Sequence, residues 1–144
     1  LTPHIERMQC ISFKTSHDCV LIDLMCFDEP WNRDEFIAQL NKPRTFGRVV
    51  VGVDGVSVLG YVVYAIPGTV LEIVRMAVHP AHQCKGVGLA TLNRVLDRVE
   101  YGKSYMVTAT VPESAIGMQC CLRKAGFYGE LAVDGSGIVF SRQS

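Results

Sequence analysis

The stretch LEIVRMAVHPAHQCKGVGLATLNRVL, residues 71–96, decides the fold. It reads as strand, loop and helix. The apolar, β-branched run to Val78 predicts a strand and Pro80 stops it. Gly86 and Gly88 then open a helix on which Leu89, Leu92, Leu96 and Val99 recur at helical spacing. A junction of this kind is an anion site. The first N–H groups of a helix lack partners within it, and the helix dipole adds partial positive charge, so a phosphate or pyrophosphate is the natural guest. Gly86 and Gly88 let main-chain amides approach phosphate oxygens and supply positive φ where the loop turns.

Around this stretch, 144 residues predict one domain, residues 1–144, and 49% hydrophobic residues suffice for a sizeable core. A formal net charge of +0 supplies no global field to recruit nucleic acid or an anionic membrane. There is no apolar run of roughly 20 residues and no signal-peptide pattern at the start, so we expect a soluble, cytoplasmic protein. The six cysteines form no pair of C-x-x-C units and read as reduced, mostly structural thiols. His79, His82 and Cys84 lie together in the central loop without an evident fourth ligand, so no metal is expected.

Residues 5–13 predict a first strand. Ser16 is the expected N-cap of a helix carrying Val20, Leu21, Leu24 and Met25 on one face, broken at residues 27–31. A second helix with Trp31, Phe36, Ile37 and Leu40 ends at Lys42-Pro43. Residues 48–53 and 56–65 predict a hairpin about Asp54-Gly55, and Pro67-Gly68 turns the chain into the central strand. After the central helix, Gly102 is the expected C-cap and residues 105–111 a parallel strand, reached by a right-handed crossover. A helix over 115–125, closed by Gly126, and a last strand pair at residues 127–140 complete an α/β fold. Its mixed sheet is expected to have six or seven strands, antiparallel in its first half, with about four helices.

Two phosphate-binding patterns fail in detail. A Walker loop needs Gly-Lys-Ser/Thr, whereas Lys85 precedes Gly86 and Val87 follows it. A dinucleotide fingerprint needs glycine at position 91, which is Thr91, and a short turn where this chain has the long loop 79–85.

Gln83-Cys84-Lys85-Gly86-Val87-Gly88 resembles the acetyl-CoA signature of the GNAT superfamily: Arg or Gln, two residues, Gly, one residue, Gly or Ala. The preceding strand, the amphipathic helix and the late Gly126-Phe127 are similar to the family as well, and the resemblance in element order covers nearly the whole chain. It implies a GNAT fold and an N-acetyltransferase with acetyl-CoA as cosubstrate. Cofactor-binding residues would be Met76, Ala77, Val78, Gln83, Cys84, Lys85, Gly86, Val87, Gly88, Leu89 and Ala90, with the pyrophosphate on the loop amides and the pantetheine arm along Met76 and Val78.

The reaction needs a deprotonated amine and a polarised carbonyl. Glu72 stands where the histone-type branch of the family carries its glutamate, and is the candidate base, tuned by burial beside Ile73 and Val74. By the same resemblance the Val78 N–H is the candidate carbonyl donor. Three positions depart from family patterns: Leu122 replaces a tyrosine, Ala115 an asparagine and Thr110 a glutamate. They motivate the alternative of a catalytically impaired acyl-CoA-binding or sensing module. Asp28, Glu29, Trp31 and Thr110 would face the acceptor, a small-molecule or peptide amine attracted by local acidity; Glu113 and Asp134 border the same side. A monomer or homodimer is expected.

Overall fold

The computed structural model describes residues 5–99 and 106–143. Strands β1 (Ile5–Cys10), β2 (Thr45–Gly52), β3 (Val58–Ala65), β4 (Val70–Val78), β5 (Met106–Val111), β6 (Tyr128–Leu131) and β7 (Ile138–Gln143) form one sheet in the order β1-β2-β3-β4-β5-β7-β6. Among the described residues only the β4–β5 pairing is parallel. Helices α1 (Phe13–Cys26) and α2 (Arg33–Leu40) cover one face over β2 to β4; α3 (Val87–Val99) and α4 (Ile116–Lys124) cover the other. The mixed α/β architecture, with seven strands and four α-helices among the described residues, meets the sequence expectation.

Each face has its own core. Leu71, Ile73, Met76, Leu92, Val95, Val107, Leu122 and Phe140 pack beneath α3 and α4. Cys19, Ile22, Phe36, Val49, Val51, Tyr61 and Val63 pack beneath α1 and α2. Each fully buried aliphatic side chain contributes on the order of 1.5–3 kcal/mol. These cores hold β4 between two layers, so its backbone is a rigid support.

Several local expectations need correction. The N-cap of α1 is Ser12, not Ser16: Ser12 Oγ accepts the Thr15 N–H and Thr15 Oγ1 accepts the Ser12 N–H, closing a capping box. Ser16 lies inside the helix and donates to Phe13 O at 2.7 Å. The buried face of α1 carries Ser16, Cys19, Ile22 and Asp23, whereas Leu21, Leu24 and Met25 are exposed. The helix is rotated because Asp23 must face the sheet to meet Arg75. Trp31 precedes α2, whose cap is Asn32, and packs edge-on against Phe36. The Asp54-Gly55 turn is wider than two residues, since β2 ends at Gly52 and β3 begins at Val58; the Asp54 carboxylate accepts the Val56 and Ser57 N–H groups. Gly102 lies outside the described residues. No described helix is long and apolar enough to cross a membrane.

Candidate active site

The site begins where the sheet forks. β4 and β5 pair from Val70↔Met106 to Ile73↔Ala109 and no further, although β4 runs to Val78 and β5 to Val111. β5 leaves with β7, pairing through Val111↔Ile138, while β4 stays with β3 through Val78↔Gly60. A register shift between Ile73 and Arg75 makes Val74 a bulge at the fork.

The period of two fixes which β4 groups face the gap. The His79 N–H donates to Leu59 O on the β3 side at 2.8 Å. Ala77 therefore also turns its polar groups to β3, and Met76 and Val78 turn theirs into the fork. Their side chains and that of Ala77 take opposite faces: Met76 and Val78 pack with the α3–α4 core, Ala77 with the α1–α2 core.

The loop beneath the fork is built around two turns of positive φ, at Cys84 (61°) and Gly86 (82°). Left-handed backbone is costly for a residue with a Cβ, so Cys84 marks a constrained position. α3 begins at Val87, directly after Gly86. Gly88 is a close approach: a Cβ there would lie 3.0 Å from Cys121 Sγ and 3.8 Å from Met76 Cε. Cys121 on α4 thus packs against the first turn of α3, and burial, the largest influence, pushes its thiol up. The amides of Gly86, Val87 and Gly88 remain on the loop side, with Lys85 exposed beside them and Ala90 half-buried in the helix.

Gln83 acts on the strand end. Its Nε2 donates to Val78 O at 2.9 Å, and the Cys26 thiol at the end of α1 donates to the same carbonyl at 3.3 Å. Burial first, then the Asp23 carboxylate, pushes the Cys26 thiol up, so it stays protonated at neutral pH. The loop is anchored as well by His79, whose Nδ1 accepts the Ala81 N–H and whose ring meets His82 at 5.7 Å. Among the described residues no three His, Cys, Asp or Glu side chains converge on a metal position.

On the α1–α2 face, a buried ion pair organises the loop between these helices. Asp23, fully buried, accepts from Arg75 Nη2 at 2.7 Å and Nε at 3.0 Å, from the Trp31 N–H at 2.8 Å, and from the Tyr61 hydroxyl. Arg75 also donates to Glu29 O at 3.2 Å and lies over the rings of Phe27 and Trp31 at 3.8 and 4.6 Å. Desolvation and the neighbouring carboxylate push the Tyr61 phenol up, so it is a proton donor throughout the physiological range. Sequence reading missed this network. Its one sequence signal was Arg75, a charge among the apolar residues that end β4; which face of α1 carries Asp23 was not readable from the helix alone.

The predicted acceptor residues divide into two groups. Asp28 and Glu29 are exposed on the loop that Arg75 and Asp23 hold, and Trp31 is half-buried there. Glu72 and Thr110 lie on the same sheet face but past the edge of α1 and α2, on β4 and β5, and both are exposed. The expected burial of Glu72 is therefore absent: Ile73 turns to the opposite core and Val74 sits under α1 and α2. Leu122 is fully buried and offers no acid at its position.

A family model described as acetyltransferase (GNAT) family matches residues 17–127. Comparison with curated proteins finds no match. Among solved structures, the ribosomal-protein-S18-alanine N-acetyltransferase from Escherichia coli superposes with a TM-score of 0.75 at 14% identity, over 95% of this chain and 91% of that one. The spermidine N-acetyltransferase from Vibrio cholerae, in complex with CoA and spermine, gives 0.72 at 17%, over 96% and 94%. The GNAT domain of S. lividans PAT gives 0.77 at 16%, over 96% and 90%. At these identities the likeness is one of fold.

Proposed function

The chain belongs to the acetyltransferase (GNAT) family, and on that premise we propose that it transfers an acetyl group from acetyl-CoA directly to a primary amine. The observation that carries this reading is the fork: two outward-facing amides on β4 stand directly above a glycine loop that opens a helix. The residues fit the cosubstrate. Gly86 uses its positive φ to turn the loop, and Gly88, without a Cβ, lets the first turn of α3 close onto Cys121 and Met76. The amides of Gly86, Val87 and Gly88 hold the pyrophosphate with Lys85 beside it, while Gln83 and Cys26 fix the strand end through the Val78 carbonyl.

Acetyl-CoA supplies the activated thioester; the protein supplies position and charge. Glu72 and Val78 are six residues apart on one strand, roughly 20 Å, too far for base and carbonyl donor to act on one reacting centre. Met76 is roughly 12 Å from Glu72 and next to the fork. We therefore assign the carbonyl to the Met76 N–H and the pantetheine arm to Val78, a revision of the sequence expectation. Glu72, open to solvent, receives the amine proton through bridging water. Asp28 and Glu29 draw a cationic amine toward the loop at Trp31, while Thr110 borders the fork. With Leu122 buried, the CoA thiolate departs on its own acidity; a thiol of pKa about 8.5 is a tolerable leaving group.

Thermal unfolding with acetyl-CoA, CoA and NAD tests binding. Acetyl-CoA at about 100 times its Kd adds roughly 2.7 kcal/mol of stability; no shift with acetyl-CoA removes the proposal. For catalysis, release of CoA thiol with an amine panel is compared between the parent and Glu72→Gln. The variant is expected to lose about 10²-fold or more in kcat, and equal rates across pH would take the base role from Glu72.

A further inference from the structure

Among the described residues, the far half of the sheet, β5, β7 and β6, is covered by helices on one face only. Its register sorts the other face into rows. Thr110 pairs with Val139, and Val139 with Glu130; one row away, Glu72 pairs with Thr108, Thr108 with Ser141, and Ser141 with Tyr128. Directly paired residues share a face. Val107, Ala109 and Phe140 point into the α3–α4 core, and a Cβ at Gly129 would strike the Phe140 ring, so the intervening Thr110, Val139, Glu130 and Tyr128 all lie on the open side.

The first row runs from the fork to the sheet edge. Thr110 borders the gap, Val139 is an apolar step, and Glu130 ends the row about 10 Å away, two strand spacings across. Tyr128 is exposed two residues from Glu130 on the same face, where its ring can flank a cation. Among the described residues, β5, β6 and β7 place no basic side chain on this side: Arg142 is in phase with Phe140 and donates to Ala125 O beneath the other face. Hydroxyl, apolar step and carboxylate in sequence complement a linear aliphatic diamine. One amine sits at the fork, the methylenes lie over Val139, and the distal ammonium meets Glu130 and Tyr128.

We propose that the Thr110–Val139–Glu130 row is an acceptor track and that Glu130 is a specificity-determining residue selecting α,ω-diamines over monoamines. This rests on the acetyltransferase reading and deepens it. A partly exposed ion pair contributes up to about 1 kcal/mol, so the discrimination expected is about fivefold.

The test compares diamines from propanediamine to decanediamine with n-alkylamines of equal length, following CoA release at fixed acetyl-CoA. In the parent, the diamine KM should fall below that of its monoamine once the chain is long enough to reach Glu130, with the gap shrinking as salt rises. Glu130→Gln should bring the two KM values together, and Glu130→Lys should reverse their order. Matched KM values in the parent at every length, or a gap that survives Glu130→Gln, overturn the track while leaving the acetyltransferase reading in place. Absence of turnover with every amine, together with no thermal response to acetyl-CoA, overturns both.

Discussion

Replacing Arg75 with methionine tests the buried network at its most exposed point. The substitution keeps most of the side-chain volume and removes the charge, so Asp23 is left fully buried with only the Trp31 N–H and the Tyr61 hydroxyl as partners. Removing one member of a buried pair costs about 3–5 kcal/mol, because the remaining charge stays desolvated. Unfolding entropy scales at about 2.1 cal/mol/K per residue, or ~0.3 kcal/mol/K for a chain of this length, so the midpoint should fall by about 10–17 °C. Differential scanning calorimetry reads this directly. Asp23→Asn in the Arg75→Met background should recover much of the loss, since the orphaned charge is gone, and a double-mutant cycle should give a coupling of ~2 kcal/mol or more. The same variant should raise the KM for amines more than the Kd for acetyl-CoA, as the Glu29 carbonyl and the Trp31 ring lose their tether. A midpoint within about 2 °C of the parent, or additive single effects, would refute the view that Asp23 is an ionised, enclosed partner of Arg75.

Gly86→Ala places a Cβ at φ 82° in the cofactor loop; it should cost about 1–2 kcal/mol and weaken the thermal response to acetyl-CoA by more than the response to an amine, both measurable by thermal shift. Asp54 provides a pH test. The Ser57 hydroxyl and the Ser57 and Val56 N–H groups hold its carboxyl down at about 2 from an ordinary 3.8. A depressed folded value adds stability above the unfolded pKa and loses it as pH falls through the folded one. The parent should therefore show a component of acid destabilisation between about pH 4 and pH 2. Asp54→Asn should lack it in urea midpoints taken across that range, and an unchanged acid limb would count against the turn hydrogen bonds.

The order of strands and helices was legible because each step has a local cause: Pro80 and Gly86 punctuate the central stretch, Asp54-Gly55 reverses the chain, and alternation of Val107, Ala109 and Val111 marks a strand with one core face. Helix faces were less legible. Leu21, Leu24 and Met25 have the spacing of a buried stripe, yet they face solvent because Asp23 and Cys19 take the inner side. Apolar spacing on α1 competes with one ion pair, and only the partner strand shows which wins.

By itself the sequence determined the glycine loop, the helix it opens and the strand before it, and so the place proposed for a pyrophosphate, since backbone stereochemistry and helix polarity act over a few residues. It determined as well that Glu72 shares a strand with Met76 and Val78, whose amides are proposed to meet the cosubstrate. Tertiary structure decided what lies across strands. The fork exists because β5 follows β7 away from β4 after Ala109. The enclosure of Asp23 depends on residues 52 positions apart, and the row from Thr110 to Glu130 on the pairing of three strands. Register and long-range ion pairing are set by packing between distant segments, so local sequence carries no direct record of them.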